Sequence, residues 1–295
     1  MPSVTTQATP YVTSPYLTVA EFKTAPTAVE IANLVAGGNQ AAQDAELANV
    51  ILRASGYANR ICEQIVSATV DTEIFRSRVA RDGTITVHPK YWPILEVRAF
   101  SYGPNPATST WVALSDLSGL FLDTANFVVG SPTGLSTISS VGPLQLGTGV
   151  ATRKIYGSYT YVNGWANTTL TNSPSQGGTS INVGSSAGVY ANVTSLTIYD
   201  GASTETVLVS AVNGNTLTVP ALQFAHAAGV SVSALPPEFK EAVILLAAAL
   251  IKSRGSEAIV MDNLAGFARV AGVDGAAQAD VQMARDILQA FRRRR

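Results

Sequence analysis

The spacing of apolar residues changes several times along this chain, and each change marks a boundary. Residues 1–16, "MPSVTTQATPYVTSPY", carry Thr, Ser and Pro with no apolar repeat, which predicts an extended N-terminal arm, ordered only in an assembly. "LTVAEFKTAP" predicts a short helix capped by Thr18, with Glu21 three residues on completing a capping box. Residues 28–36 allow another short helical turn before "GGN" at 37–39 breaks it. From about Ala41 to Val66, Leu47, Val50, Ile51, Ala54, Ala58, Ile61 and Ile65 recur at steps of three and four, the stripe of a long helix. Asp44 and Glu46 lie in its first turns, where the dipole favours acid. Cys62 borders the stripe and reads as a small buried hydrophobe.

From about residue 67 the period becomes two. "ATVDTEIFRSRV", "GTITVHP" (opened by Asp82-Gly83), "PILEVRAFSYGP", "STWVAL", "ANFVVG" and "TRKIYGSYTYVNGW" predict short strands of an antiparallel sheet. Residues 166–235 keep the strand character but lose almost all charge, alternating β-formers with Gly, Asn and Ser. Asn213-Gly214 between "TVLVSAV" and "TLTV" is a hairpin signal. This segment predicts a compact all-β module of about five strands, bordered by "WANTT" and "ALPPE".

Pro236-Pro237-Glu238 opens a helix to about Arg254, stopped by Gly255, since proline suits a first helical turn. Its centre, Ala242–Ile251, is apolar on every side and predicts a helix buried on every side. A Gly-punctuated connection of about twenty residues follows, long enough to suggest a contact role. A last helix from about Ala276 carries Val281, Ala284, Leu288 and Phe291 as a narrow stripe. The fold class is therefore α+β, a helical core with an antiparallel β-region and an inserted all-β module. The expected divisions are 1–16, 17–165, 166–235 and 236–295.

Charge adds one feature. The 295 residues hold 19 Lys+Arg against 20 Asp+Glu, a net of −1. Without the final Arg292–Arg295 the count is 15 against 20, or −5, so the basic charge is local to the end. That argues against a protein that coats nucleic acid, whose basic residues spread over a face. The charged fraction is only 13%, against about a quarter in typical domains, which fits a surface partly covered by other subunits. One cysteine excludes an intrachain disulfide, and the N-terminal residues do not read as a signal peptide. The ten apolar residues Ala242–Ile251 would rise about 15 Å as a helix, half a bilayer, so no membrane is expected.

Candidate chemistry is sparse. His88 and His226 fall in different segments and in no metal-ligand spacing, so each reads as structural or superficial. No nucleophile elbow, phosphate loop or dinucleotide fingerprint occurs. Asp71 and Glu73, two apart on one strand face, read as a solvated face rather than a catalytic pair. Tyr91, Trp92, Tyr156, Tyr159, Tyr161 and Trp165 match a carbohydrate platform in composition, but strand alternation assigns them to the core and cross-strand pairs. No enzyme, cofactor or metal site is expected.

The order of elements carries a resemblance. "ILRASGYANRICE" on the long helix, "GTITVHPKYWPILEVRAFSYG" and "KIYGSYTYVNGW" in the β-region, and "PPEFKEAVILLAAALIKSRGSE" on the Pro-started helix resemble the head-to-tail adaptor (connector) proteins of long-tailed bacteriophages. The similarity covers about 41–165 and 236–295. Residues 166–235 depart from the short adaptors, which pass straight from the last strand to the Pro-started helix.

The resemblance implies a structural virion protein of the neck, assembled in the host cytoplasm. It implies a dodecameric homo-oligomeric ring that binds under the portal, extends the DNA channel and provides a docking platform for a stopper or tail-completion protein. Val243, Leu246, Leu250 and Ile251 are then candidates for core or subunit interface. Phe291, Arg292, Arg293, Arg294 and Arg295 are candidates for portal binding, with the ring of Phe291 filling an apolar pocket. On that view removing 291–295 leaves the fold nearly unchanged. Competing roles for the arginines are a solvated helix cap and a grip on DNA in the channel. Alternatives for the whole chain are a tail terminator or decoration protein, and a glycan-binding or adhesin module acting through the β-insert.

Overall fold

The computed structural model describes residues 6–7, 14–27, 29–80, 84–122, 127–129, 154–253 and 275–293. Most of the expected arm, the Asp82-Gly83 turn, Gly255 with the connection after it, and Arg294 and Arg295 lie outside the described residues. The fold is α+β, with antiparallel sheets and helices. It divides into two compact units: Met1–Pro10 with Ala68–Gly164 and Arg293–Arg295, and Tyr11–Ser67 with Trp165–Arg292.

The first unit is the sheet unit. Its strands are β1 (Thr6–Gln7), β2 (Thr69–Arg78), β3 (Ile85–Val87), β4 (Ile94–Gly103), β5 (Val112–Ala113), β6 (Leu120–Leu122), β7 (Phe127–Val129) and β8 (Lys154–Asn163). They form one sheet in the order β1-β2-β8-β4-β5 and a smaller one in the order β3-β7-β6. The long strands β2 and β8 pair without interruption from Thr69↔Asn163 to Arg78↔Lys154. By contrast β4 shifts register against β8 between Ile94 and Glu96 and again between Val97 and Ala99. Strict alternation cannot place Ile94, Val97 and Phe100 on one face, because their spacing is odd. Each irregularity inserts an extra residue and restores parity. All three reach the core, while Glu96 and Arg98 pair with each other near the surface at 3.1 Å.

The core here is aromatic. Phe75 stacks on Phe100 with centroids 5.2 Å apart, and Tyr159 lies 5.3 Å from Tyr161. Gly157 on β8 makes this possible. A Cβ there would meet the Ser101 carbonyl oxygen at 2.1 Å and the Phe75 ring at 2.6 Å.

The second unit holds helices α1 (Val19–Thr24), α2 (Gln40–Cys62), α3 (Pro237–Lys252) and α4 (Gly275–Gln289). The capping box of α1 forms as expected: Thr18 Oγ1 accepts from Glu21 N at 3.2 Å, and Thr18 N donates to Glu21 Oε2 at 2.7 Å. Residues 29–38 form turns rather than a helix. The side chain of Gln43 holds them, bonding both the N–H and the carbonyl of Val35 at 2.8 Å. Helix α2 ends earlier than its apolar spacing predicts, at Glu63, whose φ of 54° is left-handed. Ile65 is still buried, but in the irregular segment beyond the helix, so burial alone imitated the helical repeat. Helix α3 packs against both α2 and α4, joining chain from before and after the β-insert.

The insert has a core of its own, with Leu170, Ile181, Leu196, Ile198, Leu217 and Val232 inside. Its strands are β9 (Asn167–Thr169), β10 (Ser180–Asn182), β11 (Ser195–Tyr199), β12 (Glu205–Leu208), β13 (Ala211–Asn213), β14 (Thr216–Thr218) and β15 (Ser231–Ser233). They form sheets ordered β12-β11-β15-β9 and β10-β14-β13. These are seven strands where about five were expected, because strands of three residues are too short to show a period of two. The β13–β14 hairpin forms, but Asn213 pairs with Thr216, so the turn is Gly214-Asn215. Gly214 has φ 58° and takes the first turn position, where glycine is favoured in a II′ turn.

Candidate functional site

Among the candidate residues on α3, Val243 and Leu246 are wholly buried and Ile251 nearly so, while Leu250 is half-buried. The expectation of a helix buried on every side is corrected here. Ile244, Leu245 and Leu250 are half-buried and Glu241 is exposed. Among the described residues, helices α2 and α4 pack on two sides of α3, and part of its apolar circumference is only half-buried. Of the four residues, Leu250 keeps the most surface for a neighbour.

At the C-terminus the structure separates residues that the sequence analysis grouped. Phe291 is only 8% exposed and packs edge-on against Trp165 and Phe239, with centroids 5.7 and 5.3 Å away. Its carbonyl accepts from Gln64 Nε2 at 2.7 Å. In this conformation the ring fills a pocket of its own chain. Arg292 bonds Glu63 at the end of α2. Arg293 belongs to the sheet unit, where its side chain bonds that of Tyr91.

The acidic pair on β2 is the larger surprise. A solvated face was expected, yet Asp71 is 0% and Glu73 3% exposed, while Ile74 on the opposite face is 43% exposed. The strand is turned so that its carboxylates point inward. The reason lies on β8, where Tyr159, Tyr161 and Asn163 sit opposite Glu73, Asp71 and Thr69. Those side chains supply donors that an apolar partner strand would lack. Tyr161 and Tyr159 donate to Glu73 Oε1 at 2.5 Å and Oε2 at 2.9 Å, and the Lys90 N–H reaches Oε1 at 3.1 Å. Asp71 Oδ2 accepts from Asn163 Nδ2 at 2.7 Å and Thr69 Oγ1 at 2.8 Å. Its other oxygen, Oδ1, is buried without a hydrogen-bond partner. Sequence reasoning had a signal available. Polar residues at every second position of both long strands can share one face.

Electrostatics follow from this geometry. Burial, with the charge of Glu73 adding, raises the Asp71 carboxyl above its ordinary range against the bonds from Asn163 and Thr69. Burial and Glu73 also push the phenols of Tyr159 and Tyr161 far up, so both remain protonated donors. Tyr91 is raised by burial and by Asp71 and Glu73, and lowered by Arg293. The cluster therefore offers negative potential and fixed donors but no activated nucleophile. Among the described residues no group of three or more His, Cys, Asp or Glu could hold a metal ion.

The remaining candidates are structural in their surroundings. Cys62 is buried, its Sγ lies 3.6 Å from the Leu288 carbonyl oxygen, and burial pushes the thiol up to about 12. His88 is exposed. His226 is buried in the β-module, Nδ1 at 3.1 Å from Asp200 Oδ2 and Nε2 at 2.8 Å from Glu205 Oε1. Tyr91, Tyr159 and Tyr161 are core residues, as strand alternation predicted, and so are no part of an exposed platform. Lys240 was missed. It is buried, bonds Glu21 and Ser231, and sits 3.7 Å from the Tyr199 ring centroid, tying α3 to α1 and to the β-module. No helix among the described residues is long and apolar enough to cross a membrane.

No protein-family model matches the chain, and no curated protein does. One similar solved structure is described as "Neck of empty GTA particle computed with C6 symmetry". It aligns over 99% of this chain and 96% of that one, at 14% identity and a TM-score of 0.39. A likeness of that degree fixes neither fold nor function.

Proposed function

We propose that this chain is a structural virion protein of the neck, a head-to-tail adaptor whose copies form a ring under the portal, extend the DNA channel and present a platform for the stopper or tail. The observation that carries this reading is the packing of α3 on both α2 and α4. One helical scaffold is built from segments on either side of an insert with its own core. That is the organisation implied by the sequence resemblance, an adaptor core interrupted by a β-module. The half-buried Ile244, Leu245 and Leu250 supply part of a heterologous contact that repeats around a closed ring. The role needs no reaction and no cofactor.

Arginines beyond the Phe291 plug are the portal-binding element in this reading, since guanidinium forks pair well with carboxylates and carbonyls. The portal, the stopper, dodecameric symmetry and assembly in the host cytoplasm rest on the resemblance. The experiment is negative-stain imaging of the purified chain alone and mixed with portal particles, with and without residues 293–295. Twelvefold rings, and portal binding lost on truncation, are expected. A protein that stays monomeric at every concentration and leaves portal particles bare refutes the assignment. Portal binding that survives truncation, with loss of packaged DNA, moves the arginines to the channel.

A further inference from the structure

We propose that the outward face of the β2–β8 ladder binds the sugar-phosphate backbone of double-stranded DNA through Arg76, Arg78 and Lys154. The two strands pair without a break, so residues opposite each other share a face. With Asp71 and Glu73 turned inward, the outward rows are Thr72–Thr160, Ile74–Ser158, Arg76–Tyr156 and Arg78–Lys154. Every carboxylate of the two strands is on the buried face and every cation on the other, where Arg76, Arg78 and Lys154 are exposed.

Arg78 and Lys154 stand directly opposite each other, an arrangement that destabilises a sheet. Arg76 lies one row along, its guanidinium 5.8 Å from the centroid of the Tyr156 ring, so a third cation is held at the same end. The carboxylate that β4 adds to this face, Glu96, sits opposite Val162 at the other end of β8 and pairs with Arg98 at 3.1 Å. The segment 130–153, which leads into β8, contains no Asp or Glu, and residues 81–83 after β2 hold one Arg and one Asp. The ladder itself therefore does not neutralise its three cations, and a local conflict of this kind marks a site compensated by a ligand.

Rows on one face repeat about every 6.8 Å along a strand, and neighbouring strands lie about 4.8 Å apart. The cations thus form a strip, which suits a polyanion better than a single carboxylate. Hydroxyls continue the strip: Thr72 bonds Thr160 at 2.8 Å, and Ser101 bonds Ser158 at 2.9 Å. Arginine, lysine and hydroxyl groups on an open surface contact phosphate and sugar oxygens without reading bases. The net charge of −1 excludes coating of nucleic acid, but three local charges give a weak, sequence-blind contact that a sliding duplex tolerates. This inference deepens the adaptor reading and rests on it for location: the ring turns this face toward the DNA in its channel.

The test is fluorescence anisotropy of the free full-length chain with a labelled duplex of about 20 base pairs, at about 20 mM salt and up to about 100 μM protein. Binding is expected, with the same affinity for unrelated sequences. Combining Arg76→Gln, Arg78→Gln and Lys154→Gln should weaken it at least about tenfold and reduce the slope of log affinity against log salt by roughly 2–3, as for three phosphates. The loss should persist when residues 293–295 are deleted, which separates this face from the terminal arginines. Lys154→Glu puts a carboxylate opposite Arg78, so it should weaken binding while the melting midpoint holds or rises, which separates a lost surface from a lost fold. No binding at the highest concentration, equal affinity of wild type and triple variant, or a loss that disappears on deleting 293–295 overturns the proposal. Tighter binding of poly-L-glutamate than of the duplex also overturns it, in favour of an acidic protein partner. Neither ring nor portal enters the assay, so its failure is distinguishable from failure of the adaptor reading.

Discussion

Phe291→Ala tests whether the last aromatic is a plug of its own chain or a free anchor. The ring is 8% exposed and meets Trp165 and Phe239 edge-on. Truncating a buried Phe to Ala costs about 3–5 kcal/mol, through lost transfer energy and the cavity left behind. Edge-on aromatic pairs each contribute roughly 0.5–1.5 kcal/mol within that total. Whole-domain stability is about 5–15 kcal/mol, so the loss is a large fraction. At about 2–4 °C per kcal/mol for a chain of this size, the midpoint should fall by roughly 10 °C. Deleting 291–295 should cost more still, because it also removes the acceptor of Gln64 Nε2. Deleting only 293–295 spares Phe291 and the Arg292–Glu63 pair, and should lower the midpoint by no more than a few degrees. Calorimetry or urea denaturation of the three variants gives the ranking. An unchanged midpoint in Phe291→Ala would show that the ring is not packed in solution. It would restore the expectation that 291–295 is a removable tail.

Lys240→Ala leaves the carboxylate of Glu21 without its buried cation and should cost about 3–5 kcal/mol, whereas Glu21→Gln with Lys240→Met should cost far less; additive losses in a double-mutant cycle would argue against a coupled pair. Gly157→Ala forces a Cβ into the Ser101 carbonyl and the Phe75 ring, so it should destabilise by about 1–3 kcal/mol, read as a lower urea midpoint; an unchanged midpoint would mean that β8 moves freely. Burial alone would raise Glu205, but its bonds from Gln223 N, His226 and Phe224 N outweigh that and lower it. A depressed carboxylate contributes stability that is present above its unfolded value, about 4.3, and is lost as pH falls through the folded value. Glu205→Gln should therefore flatten the acid limb of the stability profile, and parallel profiles would contradict this. Asp71 has the opposite sign: a raised carboxylate costs stability as pH rises above its unfolded value, so Asp71→Asn should gain on the wild type at neutral pH and lose that gain in acid.

Local physics made much of the fold legible from residues alone. The Thr18–Glu21 capping box, the Pro-started α3, the stripe of α2 and the β13–β14 hairpin depend on spacings within a few positions, and each forms close to where its residues predict. The low charge and Gly/Asn punctuation of 166–235 marked a β-segment, and it has its own core. Two features were decided by contacts between distant segments. The face of β2 that turns inward depends on donors from Tyr159, Tyr161 and Asn163, some ninety residues away. An acid can be buried when a partner strand supplies its hydrogen bonds, and hydropathy along one strand cannot register that. The seating of Phe291 on Trp165 and Phe239 likewise arises from contacts between distant segments. Periodicity reports which residues avoid water; which surface excludes it is decided when the elements pack, and that decision put Phe291 and Asp71 inside.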